Sequence, residues 1–155
     1  MRIFVYLVSA FVLLCAYAPA HANSGKIAAV VNQDVISMSD VADRVKLIMM
    51  SSGLPNNPEI RGKIAQQVIG NLLEEQIKLQ EAQRLEIEVT AEEIAEGFAT
   101  IAKQNNFEAD QFTEILKRSG INKSTMERQI RSQLAWGKVV QSEVRSQVTV
   151  SDRDV

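Results

Sequence analysis

The two side chains of this sequence best suited to nucleophilic or metal chemistry both lie within its first 22 residues. Cys15 is the only cysteine and His21 the only histidine among the 155 residues. A thiol and an imidazole are the groups from which Cys-His nucleophile pairs and many zinc sites are built. Neither kind of site is expected here, because the segment that carries both residues has the layout of an export signal.

That segment reads as a short positive region followed by an apolar stretch and a small-residue cleavage site. Arg2 supplies the positive charge, residues 3–18 are almost wholly apolar, and Ala20 and Ala22 occupy the two positions that a signal peptidase reads. We therefore expect cleavage after Ala22. The remaining chain, residues 23–155, would contain no thiol and no imidazole, which excludes disulfides, His or Cys metal sites and triad-type catalysis.

Two other readings of this segment are open. One alternative is retention as an uncleaved membrane anchor, since the apolar stretch is close to the length of a bilayer span. Lipidation at Cys15 is disfavoured because Leu14, rather than a small residue, precedes the cysteine.

The carboxylates offer little further chemistry. Glu74 and Glu75, like Glu92 and Glu93, are adjacent in sequence, and neighbours on a helix point about 100° apart, so they are poorly placed to act together. Loss of Arg2 with the leader changes the formal net charge from −2 to −3, which argues against nucleic acid as a partner. The sequence contains no glycine-rich phosphate loop, and we expect no catalytic residue, cofactor, metal or nucleotide.

Apolar side chains near predicted helix ends and loops remain as the candidates for binding. Methionine is flexible and polarizable, which suits a surface that accepts varied partners. The same side chains could instead fill gaps in the core. The candidates for binding an unfolded client protein are Met38, Met49, Met50, Leu54, Phe107 and Trp136.

Local signals divide the chain into a hairpin and about five helices. Short apolar runs on either side of the turn at residues 32–34 predict two strands, and Ser37 with Asp40 forms a capping box before the first helix. Other helix starts are marked by Asn57, by Thr90 with its own capping box, and by Asn122, and Gly120 is expected just past the fourth helix.

The predicted fold is therefore mainly α, a bundle of about five helices with a short N-terminal β-hairpin and a short C-terminal strand at residues 148–150. Apolar periodicity places Ile77 of the second helix and Val140 of the last on buried faces. Gly62 and Gly70 lie inside the second helix, where each costs about 1 kcal/mol relative to Ala. Each is therefore a candidate for a close contact between helices.

Four segments resemble, in order, the N-terminal domain of the SurA family. Residues 26–40 (KIAAVVNQDVISMSD) are similar to the opening of that domain, and residues 72–80 (LLEEQIKLQ) to one of its helices. Residues 101–106 (IAKQNN) and 126–131 (MERQIR) complete the set. No single segment is specific, but four in register make a strong resemblance.

The resemblance implies an α-rich domain of a periplasmic chaperone that binds unfolded outer-membrane β-barrel proteins without ATP and assists their assembly. The outer-membrane assembly machinery is the second partner to be expected. It also implies parvulin-type prolyl isomerase domains further along the family's chains, and a C-terminal helix that packs back on this domain. Parvulin sites use histidines, so the resemblance implies the chaperone activity here and not the isomerase.

We accordingly expect a signal peptide at residues 1–22, a chaperone domain at 23–150, and at 151–155 the start of a helix leading toward an absent parvulin domain. Alternative hypotheses are a fragment of a prolyl isomerase without its catalytic domain, and an adapter module tethered by a retained leader.

The leader can be tested directly. N-terminal sequencing of the exported protein is expected to begin at Asn23, because the small residues at positions 20 and 22 satisfy signal peptidase. A sequence that begins at Met1 would instead support the membrane-tethered adapter.

Overall fold

The computed structural model describes residues 26–55 and 57–147, in which a hairpin precedes five helices. Strands β1 (Ile27–Val31) and β2 (Asp34–Ser37) are antiparallel. The helices are α1 (Met38–Ser52), α2 (Pro58–Arg84), α3 (Ala91–Gln104), α4 (Ala109–Arg118) and α5 (Lys123–Gln147). The predicted fold class is confirmed for this part of the chain, whereas the strand expected at 148–150 lies outside the described residues.

Side-chain caps start α1, α2 and α3 at the places that the sequence indicates. The Ser37 hydroxyl accepts a hydrogen bond from the Asp40 backbone N–H at 3.1 Å, and the Asp40 carboxylate accepts one from the Ser37 N–H at 3.0 Å. Thr90 and Glu93 make the same reciprocal pair at α3, and Asn57 caps α2. These bonds satisfy N–H groups that a helix leaves without intrahelical partners.

Helices α2, α3 and α4 end in a common way. One residue with positive φ follows the helix, and the next, apolar residue donates its backbone N–H to a carbonyl five residues earlier, which is the Schellman arrangement. The positive-φ residues are Glu86 (54°), Asn106 (62°) and Gly120 (65°). The apolar residues that follow are Ile87, Phe107 and Ile121, so each helix end returns an apolar side chain toward its own helix.

Helix α1 lies between two hydrophobic clusters and contributes to both. One cluster joins it to the hairpin and α2, and the other joins it to α3, α4 and α5. The first consists of Val31, Ile36, Val41, Val45, Met49, Val68 and Leu72. The second consists of Leu47, Ile94, Phe98, Ala102, Phe112, Leu116, Ile121, Met126 and Ile130.

A buried ion pair joins α1, α2 and α5. Both terminal nitrogens of Arg44 donate to the Glu75 carboxylate, one of them at 3.0 Å, and the guanidinium also donates to the Thr125 carbonyl oxygen at 3.2 Å. The two charged side chains are only 4% and 14% exposed. Periodicity did not predict this pair. Residue 44 lies at i+3 from Val41, on the apolar face of α1, but arginine is a residue type that is ordinarily exposed.

Two predicted core positions are wrong. Ile77 is 56% exposed and Val140 is 42% exposed, whereas the neighbouring Val139 is only 3% exposed. Glu75 faces the helix junction, and a residue two positions further along a helix points about 200° away from it, so Ile77 turns toward solvent. On α5, Val139 takes the inward position, and the adjacent Val140 points about 100° away from it, toward solvent.

The close helix contact occurs at a glycine that the sequence did not single out. A β-carbon built at Gly62 or Gly70 would meet nothing within 4 Å, so the expectation for these two glycines is wrong. A β-carbon at Gly97 of α3 would lie 2.7 Å from Cγ2 of Ile130 on α5. Gly97 therefore lets α3 and α5 approach each other.

We predict that Gly97→Ala lowers the free energy of unfolding by about 1–3 kcal/mol relative to Gly70→Ala, because only the first substitution forces a methyl group into a packed side chain. Both variants gain the same helix propensity, about 1 kcal/mol, so their difference isolates the contact. Urea unfolding followed by circular dichroism measures it, and equal stabilities would contradict the close approach of α3 and α5.

Candidate functional site

An apolar groove of about 670 Å³ runs along α1 and is closed on its other side by the start of α2 and by the segment after α4. We call it the α1 groove. Helices α1 and α2 run antiparallel here, because Arg44 pairs with Glu75 while Leu54 and Arg61 lie together at the opposite end. The lining residues are Met38, Val41, Ala42, Val45, Lys46, Met49, Met50, Leu54, Arg61, Ala65, Ser119 and Ile121.

Four of the six predicted binding residues meet in this groove. Met38 and Leu54 are 47% and 40% exposed, whereas Met49 is 8% exposed and forms part of the floor. Met50 is half-buried. The groove therefore combines a packed apolar floor with exposed apolar side chains at both ends.

The charges that line the groove are all positive. Lys46 is held by Asp43, whose Oδ1 lies 2.9 Å from Nζ, and by the carbonyl oxygen of Gly120 at 2.9 Å. Arg61 lies in the first turns of α2 and is exposed. Both residues were missed by sequence reasoning, as was Ile121. Only the antiparallel packing of α1 on α2, and the return of the chain after Gly120, bring them to the groove.

The helix that carries the groove is fixed at its start by a charged capping box. Burial tends to raise the pKa of Asp40, but hydrogen bonds from Ser37 and the nearby Arg128 guanidinium outweigh it and leave the pKa of this carboxyl below its usual value of 3.8. Arg128 Nη1 lies 3.2 Å from Asp40 Oδ1 and ties α1 to α5. The capping box thus fixes the end of the groove at which Met38 lies.

Phe107 and Trp136 lie outside the α1 groove. Phe107 is 38% exposed and lines a second pocket, which it shares with Met50. Trp136 is 40% exposed on α5, where the ammonium of Lys78 lies 5.8 Å from its ring centroid. The structure thus brings Phe107 next to the methionines and leaves Trp136 apart. Client binding at all six residues stays a prediction.

The described residues form neither a metal site nor a membrane-spanning helix. Within 26–55 and 57–147, no three His, Cys, Asp or Glu side chains form a group that could hold a metal ion. Among the helices in those same ranges, none has the length and apolar character needed to cross a bilayer.

A family model described as the SurA N-terminal domain matches residues 25–140. This chain belongs to the SurA N-terminal domain family. The match covers the hairpin, all of α1 to α4 and most of α5, so the α1 groove lies entirely within the SurA N-terminal domain. The resemblance found in the four sequence segments is confirmed.

Individual relatives agree with the family model. The chain is 33% identical over 165 aligned residues to Chaperone SurA of Chromohalobacter salexigens, covering 100% of this chain and 37% of the relative. It is 35% identical over 135 residues to Chaperone SurA of Salmonella paratyphi A and 32% identical to that of Escherichia coli O157:H7, each match covering 84% of this chain and 31% of the relative. The chain thus spans about a third of the length of these curated relatives.

We predict that Asp40→Asn lowers the free energy of unfolding by about 0.3–1 kcal/mol at neutral pH, because the amide lacks the negative charge that lies at the N-terminus of α1 and beside Arg128. Because the pKa of Asp40 is lowered in the folded state, its charge contributes stability above pH 3.8, and this contribution is lost as pH falls through the folded pKa. The difference between variant and wild type should therefore shrink as the pH falls below 3.8.

Thermal unfolding across this pH range checks the prediction. Asp110→Asn is the matched control, because Asp110 also lies in the first turn of a helix but belongs to no capping box. A stability difference for Asp40→Asn that is independent of pH would mean that the carboxylate charge does not support α1.

Proposed function

We propose that this chain is the client-binding N-terminal domain of a periplasmic, ATP-independent chaperone, which holds unfolded outer-membrane β-barrel proteins in the α1 groove. Membership in the SurA N-terminal domain family and the name Chaperone SurA of its relatives support the chaperone role. The observation that carries the proposal is the groove itself, about 670 Å³ of largely apolar surface within this domain.

The groove's composition suits clients that differ in sequence. Exposed methionine and leucine side chains at its ends can repack around different apolar segments, because unbranched and flexible chains adapt at little cost. Burying one client side chain of the size of Leu contributes about 1.5–3 kcal/mol. A few such contacts give affinities weak enough for release without nucleotide hydrolysis.

Holding an extended segment also protects it from aggregation. An unfolded β-barrel protein exposes strand edges with unpaired N–H and C=O groups, and these pair with other chains and aggregate. A segment that lies in the groove is removed from such pairing. The exposed Arg61 would favour segments that carry an acidic residue beside the apolar ones, because opposite charges accelerate encounter and orient the client.

The location follows from the leader. An export signal at residues 1–22 would deliver the domain to the periplasm, the compartment through which outer-membrane proteins pass. Transfer of the held client to the outer-membrane assembly machinery would be the next step in this proposal.

The test is aggregation of a urea-denatured porin after dilution, followed by light scattering without ATP, with the protein recovered from the periplasm. We expect suppression at a near-stoichiometric ratio. Met38→Glu with Leu54→Glu should raise the amount of protein needed by about ten-fold, since two apolar contacts are lost. Both residues are exposed, so the fold should survive, which circular dichroism verifies.

Ile77→Glu provides the matched control. Ile77 is 56% exposed and lies on α2 outside the groove, so this variant should suppress aggregation as wild type does. If a folded wild-type protein fails to suppress aggregation, or if Ile77→Glu loses as much activity as the groove variant, the α1 groove is not the client site.

A further inference from the structure

The guanidinium of Arg44 has one donor that its ion pair does not use. The two terminal nitrogens face the Glu75 carboxylate end-on, and one of them also donates to the Thr125 carbonyl oxygen. The remaining N–H, at Nε, lies on a side of the planar guanidinium that an end-on contact does not reach. Among the residues that the structure describes, this nitrogen is buried and has no hydrogen-bond partner.

A buried donor of this kind needs an acceptor. A buried N–H without one loses its hydration and gains nothing in return, and proteins satisfy nearly all such groups with protein atoms or with ordered water. The Arg44 side chain is only 4% exposed, so bulk solvent does not supply the acceptor. An acceptor for the Nε–H therefore has to lie in the space next to the guanidinium.

A small cavity adjoins Arg44 at the junction of α1, α2 and the first turn of α5. We call it the Arg44 cavity. Its volume is about 20 Å³, and about 10–15 Å³ of such space is enough for one water molecule. Organic ligands occupy several hundred Å³ and do not fit. The lining residues are Asp40, Arg44, Leu72, Ser124, Thr125 and Arg128.

Polar groups in the wall of the Arg44 cavity can complete the hydrogen bonds of a water molecule. The Asp40 carboxylate accepts from the Ser37 N–H, the Ser37 hydroxyl and Arg128. These bonds use three of the roughly four acceptor positions of a carboxylate, so one remains. The Ser124 hydroxyl lines the same cavity and can donate or accept. Together with the Arg44 Nε–H, the wall offers three partners, the usual number for a buried water.

The charges around the cavity favour a neutral molecule over an ion. Arg44 is paired with Glu75, and Arg128 lies beside Asp40, so the four charges sum to zero. An anion would be attracted by Arg44 but repelled by the Asp40 carboxylate in the same wall. A water molecule can accept a hydrogen bond from the first group and donate one to the second, which suits both.

We propose that the Arg44 cavity binds one buried water molecule, which accepts a hydrogen bond from the Arg44 Nε–H and donates one to the Asp40 carboxylate. The water links the ion pair between α1 and α2 to the capping box at the start of α1. A polar network that is fully satisfied in this way favours a single arrangement of the helices around it. The inference does not depend on client binding, because the site is complete without a client.

Nuclear Overhauser measurements on the isotope-labelled protein test the site. The Arg44 Nε–H should give a cross-peak with water that has opposite signs in the laboratory-frame and rotating-frame experiments, which marks a water that stays bound while the protein tumbles. Arg84 is the control, because its Nε donates to Glu81 at 2.8 Å on the surface. It should show only proton exchange, which gives equal signs. Equal signs or no water peak at Arg44 would overturn the proposal.

Two substitutions at Ser124 locate the water in the Arg44 cavity. Ser124→Ala leaves the space open and should keep the cross-peak, whereas loss of the peak would assign it to the Ser124 hydroxyl and overturn the proposal. Ser124→Val places added methyl groups in the space and should abolish the peak. Ser124 is exposed, so both variants should fold, which circular dichroism verifies. A peak that survives in Ser124→Val would mean that the water lies elsewhere.

Stability provides a second measure of the same displacement. Ser124→Val should have an unfolding equilibrium constant about five- to one-hundred-fold above that of Ser124→Ala, because the Nε–H loses its acceptor. The same two substitutions at Ser142, exposed on α5 and outside the cavity, measure the difference in helix propensity between Val and Ala. Equal ratios at the two positions would contradict a bound water at Ser124.

Crystals soaked in sodium bromide separate water from an anion. We expect a density peak about 2.7–3.2 Å from Arg44 Nε, without anomalous scattering from bromide. An anomalous peak at that position would replace the water with a halide and overturn the proposal. A high-resolution map without any peak there would overturn it as well.

Discussion

The ion pair between Arg44 and Glu75 is the interaction on which the arrangement of the helices depends. It is almost fully removed from solvent, and the guanidinium also donates to the Thr125 carbonyl oxygen, so three helices meet at one guanidinium. A buried pair of this kind adds little net stability compared with apolar residues, but loss of one partner typically costs about 3–5 kcal/mol. Packings of α1 that separate these groups are thus disfavoured, and α1 is held in one register.

That register determines which faces of α1 are available. Val41, Val45 and Met49 pack toward the hairpin and α2, while Leu47 packs toward the other cluster. Because α1 carries apolar side chains on two sides, part of its apolar surface lies at the boundary between the two clusters. The α1 groove lies along this boundary. The binding surface is therefore a consequence of placing one helix between two cores.

Local rules predicted most of the fold, because the hairpin turn, the capping boxes and the apolar periods are encoded within a few neighbouring residues. The errors arose where burial depends on a partner distant in sequence. Ile77 and Val140 have apolar side chains at plausible spacing, but the contact between α2 and α5 uses other positions. Gly97 is important only because Ile130 approaches it, and no property of residues near Gly97 reveals that approach.

The residues of the candidate site also fall into those that local sequence could predict and those that it could not. Met38, Met49, Met50 and Leu54 could be grouped from the sequence because one helix and its following loop carry them all. Arg61, Ile121 and Phe107 come from other elements, and the Schellman ends of α3 and α4 place the last two. In these motifs a positive-φ residue reverses the chain and directs the next apolar residue inward. The same backbone motif therefore ends these helices and supplies one side chain to the α1 groove and one to the second pocket. The shape of both cavities depends on these helix ends being formed.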